Sequence, residues 1–455
     1  MSISVPMLVL SQICSQWRNI AISTASLWSS INVDLCSSGK GRGQPHALVE
    51  LYIARSKSNP LSIWLRTRPC PSERTRVSSI PLNELFILRL LLGTHDRWQH
   101  VRLDLYAAYV LVPFGDADAQ SHTPRFPLVE NLDLLLTNFD SDEEPPSSHK
   151  DDGWLNVLVK EAPALHNLTF SGIDYPWITS MQFPYNQITS LHFDSRTAIT
   201  LSSVFQLFTR LEHLSTADPG IVPTGSPFSA RSDTLKSLVV IVYTWQATCT
   251  LLSGLHLPSL YSLELILEVR AVKGEKDMGH LTRALKTMLQ QSSCVLRSFV
   301  TRLAFNCHEL PQIIALMPSI TDLSIHVVFD PPDCIEQFFS ILTSSNKTEP
   351  GMLVLPLLKN LQVWIVAIPL TSNGYASPLP DPEYIITMVD SRRDLPLDNN
   401  NDGIITTRSP CLAELSSIAF RIFSERLGDS FCSILKERLQ VHMKRGLTVI
   451  AREGY

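Results

Sequence analysis

The sequence predicts an α/β fold: an irregular solenoid of parallel strands with intervening helices, preceded by a short helical segment. Three observations carry this expectation. A brief apolar signature recurs along the chain. Five consecutive copies, one of them weaker, follow one another at 23, 23, 24 and 25 residues, and stretches between copies carry helical periodicity. Composition agrees. Of 455 residues, 44% are hydrophobic and only 18% charged, below the roughly 25% of an average soluble protein. Such a chain is not wholly disordered. Its net charge of −5 gives no global electrostatic reason to bind nucleic acid or an anionic membrane.

The first element is helical. Leu10, Ile13, Cys14, Trp17, Ile20 and Ala21 recur on one stripe, Ser23–Thr24 closes the helix, and Leu27–Trp28 follow. This segment is placed at 1–35, with a linker and leading repeats at 36–125 and the main solenoid at 126–425. Within the solenoid the signature reads apolar, two residues, apolar, one residue, apolar. Its copies are Val129/Leu132/Leu134, Leu165/Leu168/Phe170, Ile188/Leu191/Phe193 and Leu211/Leu214/Thr216. Leu235/Leu238/Val240, Leu260/Leu263/Leu265, Ile320/Leu323/Ile325 and Leu358/Leu361/Val363 continue it. A degenerate copy begins at Leu296/Phe299, and a frayed echo lies at Leu412/Leu415.

The physics of the pattern is simple. Apolar residues two apart face one side of an extended strand. A unit this short cannot bury that face alone, so neighbours must stack. Ser202–Phe208 and Leu310–Leu316 read as helices between strands. In the second, Leu310, Ile313, Ile314 and Met317 keep helical spacing, Pro311 sits where proline is tolerated, and Pro318 marks the exit. Two stretches read as surface insertions: 140–152, acidic and without apolar residues, and 369–410, rich in Pro, Asp and Asn. Residues 426–455 are expected to cap the stack. There Phe431, Ile434, Leu435, Leu439 and His442 share a helix face, and a strand follows.

A period of 23–25 residues with this signature resembles the leucine-rich repeat, whose period is roughly 20–29 residues. The regular repeat places Asn or Cys three residues after the third apolar position. Here those positions hold Ile173, Arg196, Pro219, Tyr243, Glu268, Val328 and Val366. The expectation is therefore an irregular, gently curved solenoid without that asparagine ladder.

The N-terminal stretch SQICSQWRNIAISTASLWSSI resembles the second half of an F-box, through Ile13, Cys14, Trp17, Arg18 and the Leu27–Trp28 pair. An F-box ahead of degenerate leucine-rich repeats is an arrangement common in fungal families. The resemblance implies a non-catalytic adaptor of a cullin–RING (SCF-type) ubiquitin ligase, cytoplasmic or nuclear. Leu10, Ile13, Cys14, Trp17, Arg18, Ile20, Leu27 and Trp28 would form a partial F-box core or contact a Skp-family linker protein. The repeats would hold a protein substrate. A repeat scaffold for protein interaction, with no ubiquitin-ligase role, is the alternative.

Other chemistry finds no support in the sequence. There is no GxSxG, GxGxxG, HExxH or P-loop, and SGKGRG at 38–43 lacks the phosphate-binding frame. No cofactor or metal is implied. His192 and His213, one repeat apart, have no third ligand in register. The nine cysteines are odd in number and widely spaced, with no CxxC, and read as reduced core residues. The two Asn-x-Thr sequons, at Asn167 and Asn346, read as chance matches. The uncharged run 237–263 contains Gln246, His256 and Pro258 and is no membrane span.

The candidate binding surface is the concave strand face. Residues flanking the second and third apolar positions point outward: Asn167, Thr169, Ser190, His192, His213, Ser215, Ser262, Glu264, Asp322, Ser324, Asn360 and Gln362.

Overall fold

The computed structural model describes residues 2–3, 6–35, 45–67, 82–106, 109, 125–137, 154–172, 181–193, 200–217, 229–242, 244–267, 278–305, 310–328, 333–343, 355–366, 381–393, 413–423 and 428–453. The expected insertion at 140–152, the SGKGRG stretch and the bend side chains at 173, 196, 219, 243, 268, 328 and 366 lie outside what is described. Two compact units divide the chain, Met1–Ile221 and Val222–Tyr455. Each is a stack of parallel strands with helices between them.

Among the described residues the N-terminal unit holds eight strands: β1 (Ser2–Ile3), β2 (Ser30–Asp34), β3 (Leu61–Arg66), β4 (Trp98–Tyr106), β5 (Asn131–Thr137), β6 (Asn167–Ser171), β7 (Ser190–Phe193) and β8 (His213–Ala217). From β2 to β8 each strand pairs in parallel with the next in chain order, while β1 runs antiparallel to β2. Helices Pro45–Ser56, Leu82–Leu92, Trp154–Lys160 and Leu201–Leu207 connect successive strands. The last of these begins on Thr200, whose Oγ1 accepts from the Ser203 amide at 3.3 Å.

The ladder explains the signature. Its second and third apolar positions align across strands as Ile31, Ile63, Val101, Leu132, Leu168, Leu191 and Leu214, then as Val33, Leu65, Leu103, Leu134, Phe170, Phe193 and Thr216. All are buried. Burying an aliphatic side chain contributes about 1.5–3 kcal/mol, so each strand brings roughly two such increments that it cannot realise without neighbours. The first apolar position fills the turn below, and in β2 and β4 it is tryptophan. Trp28 and Trp98 are both fully buried. Trp98 Nε1 donates to Leu91 O and Thr94 Oγ1, each at 3.2 Å, and its ring meets Phe126 and Trp154.

A backbone device fixes the turn into several strands. One carbonyl of the preceding repeat accepts two consecutive amides: Glu130 O from His166 and Asn167, His166 O from Thr189 and Ser190, Thr189 O from Glu212 and His213. It requires no particular side chain. Gly172, at φ +70°, closes β6, where a Cβ would stand 2.3 Å from Leu136 O.

The single helix expected before β2 is two, Pro6–Ile13 and Ser15–Ser23, with Cys14 extended between them (φ −155°, ψ 173°). Arg18 holds the break, its Nε donating to Ser11 O at 2.9 Å, where a helix end leaves carbonyls without intrahelical partners. The stripe is split as a result. Ala21 and Trp28 are buried, Leu10 and Leu27 half-buried, and Ile13, Cys14, Trp17, Arg18 and Ile20 exposed. Trp28 belongs to the strand core instead: Nε1 donates to Ala21 O at 2.5 Å, and the ring lies edge-on to Tyr52 and beneath Arg55.

The C-terminal unit carries β9 (Ala230–Arg231), β10 (Ser237–Val242), β11 (Leu255–His256), β12 (Ser262–Leu267), β13 (Ser298–Phe305), β14 (Asp322–Val328), β15 (Asn360–Val366), β16 (Ser417–Phe423) and β17 (Thr448–Glu453). β10 and β12–β17 form a parallel ladder in chain order, and β9 and β11 make a separate parallel pair. Helices Trp245–Ser253, Met278–Ser292, Leu310–Ala315, Asp333–Leu342, Pro382–Arg393 and Gly428–Arg438 intervene. Phe339 of one helix meets Phe420 of β16, ring centroids 6.2 Å apart. Phe431, Leu435, Leu439 and His442 of the last turns are buried, while Ile434 is 45% exposed.

Three sequence expectations need correction here. The stretch 369–410 is not only a surface excursion: it contains Pro382–Arg393, whose Ile385, Ile386, Met388 and Val389 are buried at helical spacing. The flanking Pro and Asn content had masked that period. The echo at Leu412/Leu415 is shifted by three residues, the buried triplet being Leu415, Ile418 and Phe420. Of the cysteines whose side chains are described, only Cys432 is buried; Cys249 and Cys294 are half-buried and Cys14 is exposed.

Candidate functional site

Because side chains alternate along a strand, the residues between the buried positions form the opposite, open face. In the N-terminal unit its first row is Ser30, Ser62, His100, Asn131, Asn167, Ser190 and His213. The second is Asn32, Trp64, Arg102, Asp133, Thr169, His192 and Ser215. In the C-terminal unit the rows run Ser237, Ser262, Ser298, Asp322, Asn360, Ser417, Thr448 and Val239, Glu264, Val300, Ser324, Gln362, Ala419, Ile450. The structure thus places all twelve strand-face residues singled out from sequence in these two rows, six in each unit.

The first row carries polar ladders. Asn167 Nδ2 donates to Asn131 Oδ1, and Asn131 Nδ2 lies 2.6 Å from His100 Nδ1. In the other unit Asn360 Nδ2 donates to Asp322 Oδ1 at 2.5 Å, Ser417 Oγ to Asn360 Oδ1 at 2.6 Å, and Thr321 Oγ1 to Asp322 Oδ2 at 2.6 Å. Asparagines do stack here, at the start of the strands rather than after them.

A shallow depression of about 320 Å³ lies on the open face of the N-terminal unit. Its floor includes Trp64, Arg102, Asn131, Asp133, Asn167 and Thr169. Arg102 lies over the Trp64 ring, 5.1 Å from its centroid, and pairs with Asp133 at 3.3 Å. One row further along, Arg66 stands between Asp104 at 3.2 Å and Asp34 at 3.9 Å. Burial pushes the Asp133 carboxyl above the usual carboxylate range, with Arg102 and then His192 pulling the other way. Asp104 is raised by burial too, against the pull of Arg66 and Arg102. The site therefore combines an aromatic platform, paired charges and amide donors and acceptors.

The third row of the C-terminal unit is different. His326, Trp364, Arg421 and Arg452 are register neighbours on β14–β17. The His326 ring stacks on Trp364, centroids 4.8 Å apart and planes inclined by 19°, and Arg421 Cζ lies 4.4 Å from the Trp364 centroid. Burial, helped by the charge of Arg302, draws His326 down to about 4. The sign follows directly. The folded protein binds fewer protons at this site than the unfolded chain between pH 4 and 6.5, so the neutral imidazole supports folding above pH 6.5 and that contribution is lost as pH falls through 4. In an NMR titration the His326 Cε1–H signal should move only below about pH 5; a midpoint near 6.5 would show an open, hydrated ring.

Trp64 and Arg102 were missed from sequence because the signature was traced only from Val129; Asp133 lies within that first copy, between Leu132 and Leu134, but the open-face positions were taken only from the next copy onward. Trp98 and Trp28 at the first apolar position were the signal that would have extended it. The stack in the third row lies beyond the signature and was not sought. Among the described residues, no group of His, Cys, Asp and Glu is arranged to hold a metal ion, and no helix is long and apolar enough to cross a membrane. No protein-family model matches the chain, and no curated protein matches it. Among solved structures it is similar to a Bacteroides fragilis protein determined as a structural-genomics target. Identity is 16% and the TM-score 0.32, covering 64% of this chain and 68% of that one. A likeness of that size is too slight to bear on function.

Proposed function

We propose that this chain is a non-catalytic recognition protein, an irregular leucine-rich-repeat scaffold whose open strand face holds a segment of another protein. The observation that supports it is the pair of in-register rows in each unit. In the first row of each unit polar side chains repeat at the strand spacing of about 4.8 Å, which suits distributed hydrogen bonding to a polypeptide. Affinity purification from native cells tests this with the wild type, a Thr169→Lys/His192→Glu variant, and a control altered at the exposed Lys160 behind the face. A partner held by wild type and control and depleted roughly tenfold by the face variant supports the reading. Identical partners in all three would end it.

A second reading adds the ubiquitin-ligase adaptor role. It is favoured by Ile13, Trp17 and Ile20, which stand 60%, 47% and 43% exposed on the N-terminal helices. Exposed apolar side chains in a row are an interface feature, and these belong to the stretch that resembles an F-box. In this reading they dock a Skp-family linker in the cytoplasm or nucleus. Purified linker protein should bind the wild type and lose Trp17→Asp.

A further inference from the structure

The row His326–Trp364–Arg421–Arg452 has a composition unlike the rest of the open face. We infer that it binds an acidic peptide segment of a partner protein, read by arginines at fixed spacing. This names the partner chemistry for the protein-binding reading given above and rests on it.

Charge is the first argument. Arg302, Arg421 and Arg452 are all exposed. Against them among the described side chains of this part of the face stands Glu264, 3.9 Å from Arg302. Asp322 lies four residues up its strand, about 13 Å away at 3.3 Å per residue, and is engaged with Asn360 and Thr321. The strip is therefore locally cationic in a chain whose net charge is −5.

Preorganisation is the second. Trp364 on β15 stands between His326 on β14, whose ring stacks on it, and Arg421 on β16, whose Cζ lies 4.4 Å from the indole centroid, so the indole restrains the guanidinium. A guanidinium restrained in this way gives up less freedom when its fork meets a carboxylate.

The stack also discriminates between classes of anion. Single-stranded nucleic acid needs an open aromatic face on which a base can lie. Trp364 is already stacked by His326 and overlain by Arg421, which leaves carboxylates on a polypeptide as the better fit. Strand spacing gives the reach. From Arg302 on β13 to Arg421 on β16, and from His326 on β14 to Arg452 on β17, is three strand intervals, about 14 Å. An extended peptide crossing the strands covers that with about four residues, so acidic side chains about four positions apart meet Arg302 and Arg421, with Arg452 engaging a third.

Fluorescence anisotropy with synthetic peptides tests the proposal on the full-length chain. A labelled peptide of about twelve residues with glutamates four apart is compared with its glutamine analogue and with a single-stranded oligonucleotide of matching length. The acidic peptide should bind at least about tenfold more tightly than the glutamine analogue, and weaken as salt screens the arginines. Arg421→Glu/Arg452→Glu should abolish binding. Arg452→Gln, an exposed change for which no loss of fold is expected, should weaken it several-fold. Equal affinity for the glutamine peptide, an unaffected Arg452→Gln, or tighter binding of the oligonucleotide would each overturn the assignment. Should the acidic peptide fail while the Thr169→Lys/His192→Glu variant still loses its partner, the strip alone is refuted; failure of both removes the protein-binding reading as well.

Discussion

Arg392→Ala is expected to lower the stability of the C-terminal unit by about 3–5 kcal/mol. Arg392 is 1% exposed, with Nε donating to Leu342 O at 2.9 Å and Nη1 to Leu355 O at 3.1 Å. One side chain thus joins its own helix, the end of helix Asp333–Leu342 and the residue that leads into β15. Leu355 has φ 57°, a conformation unfavourable for leucine by about 1–2 kcal/mol, and its carbonyl is held by this guanidinium. Two opposed terms decide the size of the effect. Burial of the cation is unfavourable, which draws its pKa down to about 10 and still leaves it protonated at neutral pH. Truncation to alanine removes that penalty but leaves a large cavity and deprives two buried carbonyls of donors, each worth about 1–3 kcal/mol. Arg392→Met keeps most of the volume and should cost less than alanine, about 2 kcal/mol. Urea denaturation followed by circular dichroism measures both. Methionine as damaging as alanine would mean that the hydrogen bonds, not the volume, dominate. A loss under 1 kcal/mol for alanine would mean that the arginine is not a tie at all.

Trp98→Ala should have a comparable effect in the N-terminal unit, again about 3–5 kcal/mol. Its indole is fully buried against Phe126 and Trp154, and its N–H is bonded to two acceptors. The informative comparison is Trp98→Leu. If Trp98 fills the position that leucine fills in later repeats, leucine should recover a large part of the loss, since only the excess volume and one donor are missing. The leucine variant falling with the alanine one would show that this repeat is built around an aromatic core of its own. Hydrogen exchange of the β4 and β5 amides would report the loss locally.

What the amino-acid sequence disclosed follows from what side chains decide. Strand faces were legible wherever leucine, isoleucine or phenylalanine occupies all the inward positions, as at Leu165/Leu168/Phe170. They were obscured where tryptophan replaces the first, at Trp28 and Trp98, or threonine the last, at Thr301, because a buried threonine looks exposed on paper; at Thr216 the same replacement only weakened the copy. Helix Pro382–Arg393 was hidden by the prolines and asparagines around it. The break at Cys14 could not be seen, since Ser11, Cys14 and Arg18 keep a helical spacing, and the Arg18 side-chain hydrogen bond to the Ser11 carbonyl that spans the bend leaves no mark in that pattern. The open-face positions were legible because period two leaves them no choice. Ion pairs such as Arg102–Asp133 were not, because strand neighbours about 31 residues apart in sequence depend on the length of the connection.

The short antiparallel strand β1 bears on how the free edge of β2 is occupied. A parallel ladder can in principle be extended without limit, since every outer strand displays a row of amides and carbonyls suited to one more strand of the same direction. β1 reverses direction against β2 and pairs over two residues, Ser2 with Asp34 and Ile3 with Val33. Those two residues of reversed chain occupy one end of the β2 edge, so a strand of the same direction cannot pair along the whole of β2 on that side.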